Sequence, residues 1–180
     1  MKKISIIVLA LSLFFLGLRS TDAYDLVLNN TPVQVYFSPN GGAAAAIIKE
    51  INGAKTEILM QAYSFTSASI AKALIEAHKR GIRVQAILDK SQRSERYSSA
   101  TFLANSGIPT FIDGEHAIAH NKIMVIDGTT VVTGSYNFTR AAEERNAENL
   151  LIVKSKDLAA LYVKNWQLHR GHSEPYEPRH

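Results

Sequence analysis

The chain contains no cysteine, so no disulfide braces it and no thiol can act as nucleophile or metal ligand. It has five prolines and one tryptophan in 180 residues, and no low-complexity tract, which excludes a proline-rich linker architecture. No internal repeat marks a solenoid. Neither sign of charge dominates: 20 Lys+Arg face 16 Asp+Glu, a net of +4. Bulk charge therefore makes no case for a polyanionic partner. There is one long apolar run, Ile4 to Leu18, and it lies at the N-terminus.

That run reads as part of a secretory signal peptide over residues 1–23. Lys2-Lys3 is a charged start, and Thr21-Asp22-Ala23 sets small residues at a cleavage site. The run is short for a membrane span of about 20 residues. With no cysteine, lipoprotein anchoring through an N-terminal Cys is excluded. The expectation is a periplasmic or secreted protein with no stable membrane association after cleavage. Cleavage removes Lys2, Lys3 and Arg19 with Asp22, taking the net charge from +4 to +2. Residues 24–170 are then one domain, and 171–180, with Pro175 and Pro178, an exposed C-terminal tail.

Within the domain, Val33 to Phe37 alternates as a first strand and the Ala-rich stretch Ala43 to Ile51 reads as a helix. Thr56 to Tyr63 is a largely apolar strand. Ser69 to Arg80 is a helix with Ile70, Ala71, Leu74 and Ile75 on one stripe, ended by Gly81. Ile82 to Asp89 is the next strand, so the order implies a parallel βαβ unit. A short strand over Pro109–Ile112 and a last strand over Ala147–Val153 follow. Ser155 caps a C-terminal helix that buries Leu158, Leu161, Tyr162 and Trp166. The fold class expected is α/β: a mixed, largely parallel central sheet flanked by helices on both faces.

The most informative stretch runs from His120 to Asn149. Ile123 to Ile126 is apolar, Thr130 to Thr133 is β-branched, and Asp127-Gly128 between them is a strong hairpin signal. Polar groups gather at its open end. Strand parity aims His120 and Lys122 one way and puts Ser135 and Asn137 together on a face. Asp127 has the other parity and sits at the turn, so it reads as a structural brace. A histidine, a lysine and two neutral donors suit a tetrahedral oxyanion such as a phosphoryl group. His116 and His120 are spaced i, i+4, but the segment leads into a strand, so a metal pair is not expected and no metal ligand is assigned.

The spacing His120-x-Lys122, four residues, Asp127, six residues, Gly134-Ser135-x-Asn137 resembles the HxK(x)4D(x)6GSxN signature of the phospholipase D superfamily at every fixed position and gap. The upstream unit over residues 56–89 resembles small members too, and the short single-motif chain is most similar to the bacterial endonuclease branch. The resemblance implies metal-free phosphodiester transfer through a phosphohistidine, with no cofactor. Its active site takes two motifs. One is present, which implies a homodimer. His120 of one subunit would attack phosphorus and that of the other would protonate the leaving oxygen. Lys122 and Asn137 would hold the non-bridging oxygens and Ser135 would support them. Glu148 matches the downstream acidic position that would orient His120, although Glu143 and Glu144 lie nearby.

The activity implied is sequence-nonspecific endonuclease cleavage of double- and single-stranded DNA, with RNA as a further substrate. Lys90, Arg93 and Arg96 follow a parallel strand's carboxyl end, where such folds bind ligands; with Arg140 and Arg145 they are candidate phosphate-backbone contacts. A solvated helix start is the other reading of Lys90 to Arg96. The alternative function is a phospholipase D acting on phosphatidyl head groups. Against it stands the lack of an amphipathic membrane helix outside residues 1–23. A binding protein without turnover is a third reading, disfavoured by the complete motif.

Overall fold

The computed structural model describes residues 23–95 and 98–178. All of the expected signal peptide except Ala23 therefore lies outside the described residues, as do Arg96 and Tyr97.

Eight strands form one sheet: β1 (Val33–Ser38), β2 (Glu57–Ala62), β3 (Arg83–Asp89), β4 (Thr110–Asp113), β5 (Lys122–Ile126), β6 (Thr130–Gly134), β7 (Glu148–Lys154) and β8 (Glu174–Pro175). Their order across the sheet is β1-β7-β6-β5-β2-β3-β4-β8. Among the described residues, five α-helices, α1 (Ala43–Gly53), α2 (Ala68–Lys79), α3 (Ala100–Asn105), α4 (Arg140–Glu144) and α5 (Lys156–His172), and a 3-10 turn at Lys90–Arg93 complete the fold.

The α/β class is as the sequence implied, with a mixed sheet covered on both faces. On one face α1, α2, α3 and α4 bury Ile47, Ile51, Leu74, Leu103 and Ala142 against Met60, Met124 and Ile152. On the other, α5 lays Ala159 and Trp166 on Leu59, Ile87, Val125 and Val131. The Trp166 indole donates to the Met60 carbonyl at 2.9 Å, so its one polar atom is satisfied while the ring is buried.

The share of parallel pairing is smaller than expected. Among the described strands, only β2–β3 and β3–β4 pair in parallel. The other five pairings are antiparallel. The reason lies in the connections: a parallel neighbour needs a crossover, which α2 and α3 supply, whereas a tight turn joins β5 to β6. In that turn Asp127 (φ 54°) and Gly128 (φ 59°) are both left-handed, as a primed hairpin turn requires.

The C-terminal residues also differ from the expected free tail. α5 runs on to His172, and β8 then pairs with β4. Tyr176 donates its N–H to the Thr110 carbonyl at 2.8 Å and shares a 2.7 Å hydroxyl contact with Thr101. An edge strand with unpaired carbonyls is what recruits this segment.

Candidate active site

The antiparallel register brings the ends of β2, β6 and β1 and the starts of β5 and β7 to one end of the sheet. Ala62 lies opposite Lys122, Ile123 opposite Thr133, Gly134 opposite Leu150 and Ser38 opposite Glu148. The polar groups that flank the hairpin in sequence meet there.

His120 is exposed on the segment entering β5, its ring edge-on to Tyr63 with centroids 4.6 Å apart. Lys122 is buried, and its ammonium donates to the His120 carbonyl at 2.8 Å while lying 5.1 Å from the centre of the Tyr63 ring. Burial pushes the Lys122 pKa below the ordinary lysine value, and the nearby Glu148 carboxylate partly restores it. Lys122 thus orders the backbone that carries His120.

Ser135 follows Gly134, the last residue of β6. Its hydroxyl donates to Glu148 Oε2 at 2.7 Å and accepts from the Asn149 N–H at 3.1 Å. Asn137 is half-buried, and its amide oxygen has no hydrogen-bond partner among the described residues. A half-turn of that amide would present its NH2 instead. Turned that way, the amide could donate to a ligand oxygen.

The three acidic candidates separate cleanly. Glu143 caps α1, accepting from the Gly42 and Ala44 N–H groups, and also accepts from the Tyr136 hydroxyl. Glu144 is held by Arg140. Glu148 alone faces the site, but within one chain its hydrogen bonds come from Ser135 and Asn146 and not from His120. Among the described residues no carboxylate hydrogen-bonds His120, so the expected orienting contact is not made inside a single chain.

Asp127 lies at the far end of β5 from Lys122, roughly 17 Å along the strand. It accepts from the N–H groups of Lys55, Thr56 and Glu57 and from the Thr56 hydroxyl. It is a brace, as read, but it braces the entry to β2 across the sheet. Partial burial works to raise its pKa. The amides of Thr56, Glu57 and Lys55 and the Thr56 hydroxyl outweigh that and hold it below the ordinary carboxylate value. Asp127→Asn should therefore cost about 1–2 kcal/mol at neutral pH. A depressed folded pKa gives stability that is present above the unfolded value of about 4 and lost as pH falls through the folded one. The Tm gap between wild type and D127N should accordingly narrow below about pH 4. A gap unchanged from pH 7 to pH 2.5 would show that the charge contributes nothing.

The candidate nucleic-acid contacts are divided. Lys90 donates to the His116 carbonyl at 2.9 Å, and Arg93 pairs with Glu174, so both also hold structure. Arg140 and Arg145 are exposed and line one depression with Glu144. Arg96 lies outside the described residues. His116 does not join His120; it meets Asp113, His169 and His172 instead. Tyr63, Asn146 and Asn149 are site residues that the sequence did not single out. No local signal marks Tyr63 and Asn149, because their partners, His120 and Ser135, are distant in the chain, and Asn146 is tied to the site only by its bond to Glu148.

The fold and the site define an α/β protein with a single HxK–GSxN motif at one end of a mixed sheet. Residues 47–168 match the family described as cardiolipin synthase, PLD-like domain. The chain belongs to the phospholipase D superfamily. It is similar to Nuc from Salmonella typhimurium, a phospholipase D family member, at 40% identity and a TM-score of 0.79, covering 82% of this chain and 99% of that one. A phospholipase D of Rickettsia conorii is 41% identical over 139 residues, 77% of this chain and 70% of the relative. A mitochondrial cardiolipin hydrolase of Xenopus laevis is 31% identical over 125 residues, 69% of this chain and 60% of the relative.

Proposed function

We propose that the protein is a metal-independent, sequence-nonspecific endonuclease that hydrolyses DNA, and RNA as a further substrate, in a homodimeric active site. The observation that carries this is the exposed His120 beside Lys122, Ser135 and Asn137 at one open end of the sheet, a site a long polymer can cross. His120 of one protomer attacks phosphorus, so a P–N bond forms as the P–O bond to the leaving oxygen breaks. The partner's His120 protonates that oxygen. It then takes a proton from water, which attacks phosphorus and frees the first histidine. Lys122 and the Asn137 amide offset charge on the non-bridging oxygens. The place of action proposed is the periplasm or the medium, on the strength of residues 1–23.

Dimerisation is supported by the sheet edge. Val33, Val35 and Phe37 share one face of β1 and are 47%, 52% and 67% exposed. Phe37 lies opposite Asn149, whose N–H bonds Ser135, so this apolar strip runs into the site. Phe37→Asp should weaken self-association about tenfold or more without unfolding the chain. Activity should fall at low protein concentration and recover at high concentration. Light scattering beside a concentration series checks this; an unchanged dimer would place the interface elsewhere.

A second reading, phospholipase D activity on phosphatidyl head groups, draws on the names of the Rickettsia relatives. No helix among the described residues is long and apolar enough to cross a membrane. The deciding experiment offers the purified protein supercoiled plasmid and phosphatidylcholine vesicles, each in excess EDTA. Nicking without choline release supports the nuclease. Choline release without nicking makes the protein a lipase.

A further inference from the structure

A second cluster of chemistry-bearing groups lies at the same end of the sheet. Asp113, the last residue of β4, is fully buried. His116 follows it in the connection to β5. His169 and His172 project from one face of the last turns of α5. Asp113 Oδ1 is 3.2 Å from His116 Nδ1, and its Oδ2 is 2.7 Å from His169 Nδ1 and 3.3 Å from His172 Nε2. One donor atom from each of the four lies within 4.8 Å of the others.

We propose that Asp113, His116, His169 and His172 bind one zinc ion, which ties the connection carrying His120 to the C-terminal helix. Three imidazoles and one carboxylate are a tetrahedral donor set for zinc. Zinc bonds of about 2.0–2.2 Å put neighbouring donors roughly 3.3 Å apart. Two of the three separations about Asp113, 3.2 Å to His116 and 3.3 Å to His172, match that spacing, and the 2.7 Å contact with His169 is a hydrogen bond that the ion would replace. His172 supplies an independent sign. Its side chain is only 13% exposed, yet neither ring nitrogen makes a hydrogen bond of good geometry. Its Nδ1 lies 3.3 Å from Glu115 Oε2, placed as the outer carboxylate that orients a ligating histidine.

The ion would take no part in phosphodiester chemistry. In the sheet order β4 is three strands from β5, roughly 14 Å. Its effect is on the connection over residues 114–121. There Lys90 holds the His116 carbonyl and Asp89 accepts from the Ala119 N–H at 2.7 Å, one residue before His120.

The test is zinc binding by the EDTA-stripped, full-length mature protein. Titration calorimetry gives the stoichiometry, and cobalt gives the visible bands of a tetrahedral site. One zinc per chain and a Tm raised by several degrees are expected. His116→Gln, at a side chain 44% exposed, and His172→Gln should each weaken zinc binding at least tenfold. His120→Ala should bind zinc as wild type does. No stoichiometric zinc in wild type would overturn the proposal. So would binding that survives both glutamine variants and disappears in His120→Ala. Plasmid cleavage in EDTA is a separate readout: it tests the nuclease, and zinc content tests this site.

Discussion

Replacing His120 with alanine should reduce phosphodiester cleavage by about 10^4-fold or more, since in the proposed mechanism the change removes both the nucleophile and the proton carrier of a two-fold site. The fold should not suffer. His120 is exposed, and what Lys122 grips is its backbone carbonyl, which alanine retains. The variant should therefore melt within a degree or two of wild type and still dimerise. The cleaner measurement mixes wild-type and His120→Ala subunits. If each turnover needs a histidine from both protomers, mixed dimers are inactive and cleavage falls below the wild-type fraction. Activity that tracks the wild-type fraction linearly would mean that each protomer works alone, and a homozygous variant within tenfold of wild type would remove His120 from the chemistry.

Gly134→Ala should be a strongly damaging single-methyl change at the site. Gly134 has φ +152°, in a region where side chains are strained, and an added Cβ would lie 2.2 Å from the Asn149 carbonyl oxygen and 3.1 Å from Leu150 Cα. Those are backbone atoms of β7, so no side chain can swing away. β6 would have to part from β7 where the Ser135 and Tyr136 N–H groups both reach the Asn149 carbonyl, at 3.1 and 3.2 Å. The expected cost is about 3 kcal/mol, from strain and overpacking together. That corresponds to a Tm lower by roughly 10 °C in a domain of this size. Cleavage should fall even well below that Tm, because Ser135 and Asn137 leave register with Lys122. A melt within 2 °C of wild type would show that the strands separate more easily than their packing implies. The glycine of the GSxN spacing is therefore there for close backbone approach.

What could be read along the chain had short-range causes. The central hairpin followed from Asp127-Gly128 and its apolar flanks, the helices from their stripes, and the meeting of His120, Lys122, Ser135 and Asn137 from strand parity and one turn. Asp127 as a brace followed from parity as well. The partners it braces, Lys55 to Glu57, lie some seventy residues upstream and could not be named. Glu148 was singled out among three acids only by spacing; the structure shows why the others are occupied, Glu143 by the start of α1 and Glu144 by Arg140.

Lys90 and Arg93 looked like a phosphate-binding patch because sequence records charge and not the partner that engages it. The partners are the His116 carbonyl and Glu174, the latter 81 residues beyond Arg93. His116 shows the same limit most clearly. Its nearest histidine in sequence is His120, but the strand that follows carries them apart. Its partners in space, His169 and His172, arrive on a helix that packs across the sheet. By itself the sequence determined the class of fold, the motif and the side chains of the candidate site, since periodicity and fixed spacing act within a few residues. Only the tertiary structure decided which charges are engaged, how much of the sheet is parallel, where the C-terminus docks and which histidines meet. Those outcomes depend on packing between segments far apart in the chain, and no local pattern encodes them.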